Sequence, residues 1–172
     1  MNVPLHLLSD RLVMRELVLE DAEFIFDLYN TPAFKKFVGD KQLRTLVDAE
    51  AYLVDTLVAM YQIPGMGLLK VERKVDNVPI GLCGLIKRDS LNDIDLGFGF
   101  LPMWEGQGYA FESANEVLNF AKHVLGIDRV VAITLSNNTP CVRLLSRLGF
   151  SYECVQERVS DEVTLGLYGK AL

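Results

Sequence analysis

The stretch that decides the fold is Leu96-Gly-Phe-Gly-Phe-Leu-Pro-Met-Trp-Glu-Gly-Gln-Gly-Tyr-Ala110. It reads as a strand that passes through a glycine-punctuated turn and continues directly into a helix. A turn of this kind directs several backbone N–H groups at one point, with the dipole of the following helix behind them. Gly106 and Gly108 also lack the Cβ atoms that would keep a phosphate away from the backbone. The stretch predicts a pyrophosphate site, and a tight turn before a core helix is the alternative.

A dinucleotide site of the Rossmann type would also place a glycine-rich turn between a strand and a helix. That fingerprint needs a third glycine, and this chain has Phe111 at that position. It also needs an acidic residue at the end of the next strand, which ends here in Leu135-Ser136. We therefore expect no nicotinamide or flavin cofactor.

Outward from this stretch, the apolar periodicity predicts about seven strands and about four helices. The predicted strands are 11–17, 67–73, 79–86, 94–100, 129–135, 150–157 and 162–168, and the predicted helices are 19–30, 45–62, 108–124 and 139–148. The connections between the second, third and fourth strands are short, so these strands pair as antiparallel hairpins. The order of elements predicts an α+β fold with a mixed, mostly antiparallel central sheet and one β-α-β crossover at the glycine-rich turn.

The composition is that of one folded domain spanning residues 1–172. Half of the residues are hydrophobic and 23% are charged, which excludes a disordered tail. The net charge of −6 argues against a nucleic-acid groove, which needs a basic surface. No apolar stretch approaches the roughly 20 residues of a membrane span, and residues 1–10 lack the basic and apolar regions of a signal peptide. We expect a cytoplasmic protein that binds neither nucleic acid nor a membrane.

Metal and disulfide chemistry have little support in the sequence. The three cysteines, Cys83, Cys141 and Cys154, form no CxxC pair. The two histidines, His6 and His123, have no second ligand at metal-binding spacing. We expect no metal cofactor.

Three separated motifs resemble the GNAT superfamily of N-acetyltransferases. They are Ser9-Asp-Arg-Leu-Val-Met-Arg-Glu-Leu17 with Leu19-Glu-Asp-Ala22, then Trp104-Glu-Gly-Gln-Gly-Tyr-Ala110, and then Asn138-Thr-Pro-Cys-Val-Arg-Leu-Leu-Ser-Arg-Leu-Gly-Phe150. The first motif is similar in particular to the RimJ and RimL branch, which acetylates ribosomal proteins. The resemblance covers residues 9–168 and implies the GNAT, or acyl-CoA N-acyltransferase, fold.

The resemblance implies acetyl-CoA as the cosubstrate. In GNAT enzymes a loop written Q/R-x-x-G-x-G/A holds the coenzyme A pyrophosphate through backbone N–H groups. On this chain the loop falls on Glu105, Gly106, Gln107, Gly108, Tyr109 and Ala110. The pantetheine arm is expected to bind the backbone at Phe98, Gly99 and Phe100, and Asn138 matches an asparagine that commonly contacts the cofactor.

Glu105 departs from the family pattern, which has Gln or Arg at this position. No Lys or Arg occurs between Arg88 and Lys122. The sequence therefore predicts that phosphate binding relies on N–H groups and the helix N-terminus, with one carboxylate that opposes it.

Asp95 and Cys141 are the candidates for proton transfer. Asp95 lies where many relatives carry a glutamate that deprotonates the acceptor ammonium. Cys141 follows Asn138 by three residues, where the RimL-like pattern has a serine to which protonation of the leaving thiolate is ascribed. The alternatives are a solvent-facing Asp95, a Cys141 that only packs in the core, and a thiolate that solvent protonates.

The resemblance implies an enzyme that transfers the acetyl group of acetyl-CoA to a primary amine. The expected acceptor is a protein or peptide N-terminal α-amino group, such as that of a ribosomal protein. Small amines, namely polyamines or aminoglycosides, are alternative acceptors, and an acyl-CoA-binding module without activity is an alternative of a different class. The sequence leaves both a monomer and a homodimer open.

Overall fold

The computed structural model describes residues 3–172, which form eight strands and five α-helices. The strands are β1 (His6–Leu8), β2 (Leu12–Arg15), β3 (Gly67–Arg73), β4 (Pro79–Ile86), β5 (Ile94–Phe100), β6 (Arg129–Leu135), β7 (Ser151–Arg158) and β8 (Thr164–Ala171). The helices are α1 (Ala22–Tyr29), α2 (Pro32–Phe37), α3 (Leu46–Tyr52), α4 (Tyr109–His123) and α5 (Thr139–Arg147). Within the described residues, no helix combines the length and the apolar character needed to cross a membrane.

All eight strands belong to one sheet, in the order β1-β2-β3-β4-β5-β6-β8-β7. Neighbouring strands are antiparallel except β5 and β6, which are parallel and are connected through α4. This parallel pair is short, with Ile94 opposite Val130 and Asp95 opposite Val131. β5 and β6 therefore separate beyond Asp95 and Val131, and the sheet opens at that point.

Helices cover both faces of the sheet. On one face, α4 and α5 pack over a buried core that includes Leu85, Val117 and Leu145. On the other face, α1, α2 and α3 pack over a second buried cluster that includes Ile25 and Leu82. The opening between β5 and β6 thus has a helical layer on each side.

The predicted α+β architecture with its mixed, mostly antiparallel sheet is confirmed. The strands predicted at 67–73, 79–86, 94–100 and 129–135 have the observed bounds. The structure adds one strand, β1, which is only three residues long and lies at the edge of the sheet, so it leaves almost no periodic pattern in the sequence.

The structure also adds one helix, α2. The sequence predicts the end of the first helix at Asn30-Thr31-Pro32, and the same residues begin α2. The Thr31 hydroxyl accepts a hydrogen bond from the backbone N–H of Phe34, and Pro32 occupies the first turn.

The predicted helix at 45–62 holds, but its second half is a π-helical turn (Leu53–Leu57) followed by a 3-10 turn (Val58–Gln62).

A buried ion-pair network fixes the entry into α1. Asp21 is 5% exposed and accepts hydrogen bonds from the guanidinium of Arg15, at 3.0 and 3.1 Å, and from the ammonium of Lys70, at 2.5 Å. The backbone N–H of Val18 donates to the same carboxylate. Burial alone would raise the pKa of Asp21, but these donors outweigh it and lower the pKa. The network ties α1 to β2 and β3.

Candidate active site

The opening between β5 and β6 leads into a cleft of about 420 Å³. Its walls are α2, the second half of β5, the glycine-rich turn, and the first turns of α4 and α5. Ten of the twelve predicted site residues line it: Phe98, Gly99, Phe100, Glu105, Gly106, Gly108, Tyr109, Ala110, Asn138 and Cys141. Gln107 and Asp95 are not among the lining residues. The fold thus brings the predicted loop and the start of α5 into one cavity.

The turn before α4 presents its backbone to the cleft. Gly106 and Gly108 have φ angles of +74° and +84°, a left-handed conformation that glycine adopts without steric cost. A Cβ added at Gly106 would meet no atom within 4 Å, so the space beside it is open. Gly108 caps the 15-residue α4, whose dipole lies behind the turn. The turn fits an anionic group such as a pyrophosphate.

The side chain of Gln107 forms a hydrogen bond within the turn and does not line the cleft. Its side-chain Nε2 donates to the backbone oxygen of Met103 at 3.1 Å. This bond bridges the turn, and Gln107 is exposed and is not among the residues that line the cleft.

Two arginines from distant parts of the chain lie beside the turn. Arg11 donates from Nη1 to the backbone oxygen of Gln107 at 3.1 Å, while its Nε pairs with Glu112 at 2.7 Å. Arg147, at the end of α5, lines the cleft with its guanidinium 4.8 Å above the Phe111 ring. These side chains place positive charge beside the turn, in addition to the N–H groups and the helix N-terminus that the sequence predicts for phosphate binding. Arg11 precedes Gln107 by 96 residues, so local spacing carries no signal for it.

The other end of the cleft is apolar. Phe34 and Phe37 of α2, with Val38, line it opposite Phe98 and Gly99 of β5. A Cβ added at Gly99 would fall 2.4 Å from two carbons of the Phe34 ring. Glycine at this position therefore lets α2 approach β5 closely, and the aromatic rings form a wall for a non-polar group.

Asp95 lies where β5 and β6 begin to separate. Its side chain is 1% exposed, which excludes the solvent-facing alternative, and its Oδ2 accepts a hydrogen bond from Nε of Arg88 at 2.6 Å. Oδ1 has no hydrogen-bond partner. Burial raises the pKa of Asp95 to about 6, although Arg88 and, more weakly, the backbone N–H of Ile133 lower it. Such a carboxyl group can exchange a proton near neutral pH.

Asp95 also lies on the face of the sheet that α1, α2 and α3 cover. Alternate residues of a strand share a face, and a Cβ added at Gly97 or Gly99 of β5 would meet Leu68 or Phe34, which both belong to the cluster under that layer. The carboxyl group therefore lies on the same face of β5 as Gly99, where the apolar end of the cleft is.

Cys141 and Asn138 stand at the start of α5 and line the cleft. Burial raises the pKa of Cys141, and the hydroxyl of Thr134 offsets this in part. A thiol with a raised pKa stays protonated at neutral pH, as an acid must, and a thiol that only packs would do the same.

Residues 11–151 match the family described as Acetyltransferase (GNAT) domain. The chain belongs to the GNAT family of acetyltransferases. It is also similar to a Bacillus subtilis (strain 168) protein named Uncharacterized N-acetyltransferase YoaA, with 26% identity over 148 residues, which cover 86% of this chain and 83% of YoaA. The predicted enzyme class, an acetyltransferase, is confirmed.

Solved GNAT structures superpose on nearly the whole chain. The apo structure of RimL, a ribosomal L7/L12 alpha-N-protein acetyltransferase, has a TM-score of 0.83 and 13% identity, and covers 99% of this chain and 96% of RimL. The microcin C7 self immunity acetyltransferase MccE, solved with acetyl-CoA and AMP, has a TM-score of 0.80 and 17% identity. The match covers 95% of this chain and 94% of MccE. An acetyltransferase from Agrobacterium tumefaciens has a TM-score of 0.82 and 22% identity. The match covers 100% of this chain and 96% of that protein. These matches confirm the predicted GNAT fold.

Asp95→Asn should lower kcat/KM by roughly tenfold to a thousandfold, within the range of a lost general base, and should leave acetyl-CoA affinity nearly unchanged. A carboxylate base is lost on protonation, so kcat/KM of the wild type should fall as the pH decreases through about 6. The variant should lack this decrease. Thiol release measured between about pH 5 and 9, with calorimetry for acetyl-CoA, checks both points.

Asp93→Asn is the matched control for this experiment. Asp93 is a neighbouring carboxylate that pairs with Arg129 at 3.2 Å, and its loss should leave the pH profile in place. Wild-type kinetics in Asp95→Asn would show that this carboxyl group takes no part in the reaction.

Glu105→Gln should bind acetyl-CoA several-fold more tightly at low salt. Two like charges about 7 Å apart at an effective dielectric near 40 repel by about 1 kcal/mol, and salt screens this repulsion. Arg147→Gln should have the opposite effect. Both effects should disappear for a pantetheine fragment that lacks the pyrophosphate. If calorimetry finds the same affinity in all three proteins, the alignment of this loop with the phosphate-binding motif is wrong.

Proposed function

We propose that the protein transfers the acetyl group of acetyl-CoA to the α-amino group of a protein or peptide, as a member of the RimJ/RimL-like branch. The observation that carries this proposal is one cleft with a glycine-rich turn at one end, and a buried carboxyl group on the same face of β5 as its apolar end. The turn suits the phosphates of the donor, and the carboxyl group suits the ammonium of the acceptor. The family match over residues 11–151 supports one catalytic domain in residues 1–172.

On the donor side, the turn at 105–110 would bind the pyrophosphate through its N–H groups, with Arg147 and Arg11 beside it. β5 pairs with β6 only up to Asp95, so the backbone groups of Phe98, Gly99 and Phe100 that face β6 have no strand partner. Unpaired edge groups of this kind are suited to the amides of a pantetheine arm. The likeness to MccE, which was solved with acetyl-CoA, supports this choice of donor.

Asp95 would accept the first proton. The acceptor ammonium gives a proton to the Asp95 carboxylate, directly or through a water molecule, and the neutral amine attacks the thioester carbonyl carbon. A C–N bond forms, the C–S bond breaks, and the second proton of the amine leaves to solvent. The departing thiolate takes a proton from Cys141 or from solvent. The overall reaction yields the acetylated amine, coenzyme A and one proton.

Two observations support an α-amino acceptor. RimL, whose structure superposes on 99% of this chain, is described as an alpha-N-protein acetyltransferase. The motif at Ser9 to Leu17 is similar to that branch, and its Arg11 donates a hydrogen bond to the glycine-rich turn.

An acceptor panel read by thiol release tests the proposal. It compares peptides with a free N-terminus, the same peptides with a blocked N-terminus and an internal lysine, spermidine and an aminoglycoside. We expect acetylation of the free N-terminal peptides and a loss of activity when the N-terminus is blocked.

Other results of the panel would correct different parts of the proposal. Reaction with spermidine or the aminoglycoside alone would contradict the acceptor and leave the donor in place. Acetyl-CoA binding without thiol release from any amine would indicate a binding module. Absence of acetyl-CoA binding would contradict the donor as well.

A further inference from the structure

Asp95 offers one oxygen to a ligand. Its Oδ2 is occupied by Arg88, whereas Oδ1 is buried and receives no hydrogen bond of ordinary geometry, although the backbone N–H of Ile133 acts weakly on the carboxyl group. Leaving a buried carboxylate oxygen without a well-placed donor costs stability, and native proteins keep such groups where a water, an ion, a ligand or a catalytic step supplies the partner. An amine nitrogen of the acceptor is a donor of the required kind.

Arg88 stands beside this oxygen with most of its own donors free. It follows the end of β4, its side chain is 41% exposed, and its bond to Asp95 uses Nε alone. Among residues 3–172, no acceptor receives a hydrogen bond from its two Nη groups. The Nη groups are therefore available to a ligand.

Two carboxylates near the start of β5 and on β7 are already neutralised. Arg129 binds Asp93 at 3.2 Å and Glu153 at 2.6 Å. A polyamine or an aminoglycoside carries several ammonium groups, and each gains most from an unpaired carboxylate. Because Asp93 and Glu153 are both bound to Arg129, these two carboxylates are poorly suited to such polycations.

We propose that Arg88 recognises an oxygen of the acceptor that lies next to the amine received by Asp95. This inference rests on the proposed function and specifies its acceptor. In an α-amino amide, a peptide N-terminus or an α-amino acid, two carbons separate the nitrogen from the carbonyl oxygen. The nitrogen then donates to Oδ1 of Asp95 while the oxygen accepts from an Nη group of Arg88.

The bond between Arg88 and Asp95 holds these two side chains in a fixed relative position. Nε and Oδ2 join the side chains at 2.6 Å, so the free Oδ1 and the free Nη groups move as one unit. An alkylamine that lacks the oxygen uses only the Asp95 half of this unit. Arg88 would therefore set acceptor specificity in addition to its effect on the charge of Asp95.

Two matched acceptors separate recognition by Arg88 from its effect on Asp95. Leucinamide and isoamylamine share the same side chain and amine, and differ by the amide group. The quantity measured is the ratio of kcat/KM for leucinamide to that for isoamylamine, in the wild type and in Arg88→Gln. We expect this ratio to fall at least about tenfold in the variant, with the loss carried mainly by KM for leucinamide. An effect through Asp95 lowers both values equally and cancels in the ratio.

Lys87→Gln is the matched control, because it removes the same charge one residue away from an exposed side chain. It should leave the ratio unchanged, and acetyl-CoA affinity should be equal in all three proteins. Two further acceptors are free leucine, which has a carboxylate next to its amine, and the peptide Leu-Gly-Gly, which has a peptide carbonyl there. Comparing them shows which kind of oxygen Arg88 binds.

Different results would contradict the role of Arg88 and the proposed function. An equal loss for both acceptors in Arg88→Gln, or a wild type that prefers spermidine, would overturn the role of Arg88 while the acetyltransferase activity stands. No thiol release from the wild type with any of these amines would overturn the proposed acceptor chemistry itself.

Discussion

The parallel pairing of β5 and β6 ends after two residue pairs, and the candidate site depends on that early end. Both strands are held by antiparallel partners on their other sides, β4 over six residue pairs and β8 over seven, so their separation is fixed by the sheet. Beyond Asp95 one edge of β5 therefore has no strand partner. The strand then runs directly into the glycine-rich turn, which places unpaired backbone groups and the N-terminus of α4 along one cleft.

The two helical layers give the two ends of this cleft different chemistry. The layer of α4 and α5 brings the glycine-rich turn, Arg147 and Cys141, which suit a phosphorylated thioester. The layer of α1, α2 and α3 brings aromatic rings to the face that carries Asp95. A carboxyl group whose pKa is raised to about 6 by burial lowers folding stability above that pH, because the folded state disfavours its ionised form. The fold thus tolerates an unfavourable charge at Asp95, the residue proposed as the base.

Local patterns in the sequence were sufficient to predict seven of the eight strands and the glycine-rich turn. Glycine spacing and apolar alternation predicted the turn and the bounds of β3, β4, β5 and β6, because these features are fixed by neighbouring residues. The cationic groups at the turn could not be predicted, since Arg11 reaches Gln107 across 96 residues. The burial of Asp95 and its bond to Arg88 depend on the covering layer of helices, which no local spacing encodes.

Hydrogen–deuterium exchange of the wild-type protein with and without acetyl-CoA tests most directly the claim that the opening between β5 and β6 is the donor site. Acetyl-CoA should slow exchange in two segments, at 98–100 and at 105–110, and should leave β7 unchanged at the far edge of the sheet. Slowed exchange confined to other segments, with 98–100 and 105–110 unaffected, would contradict this account.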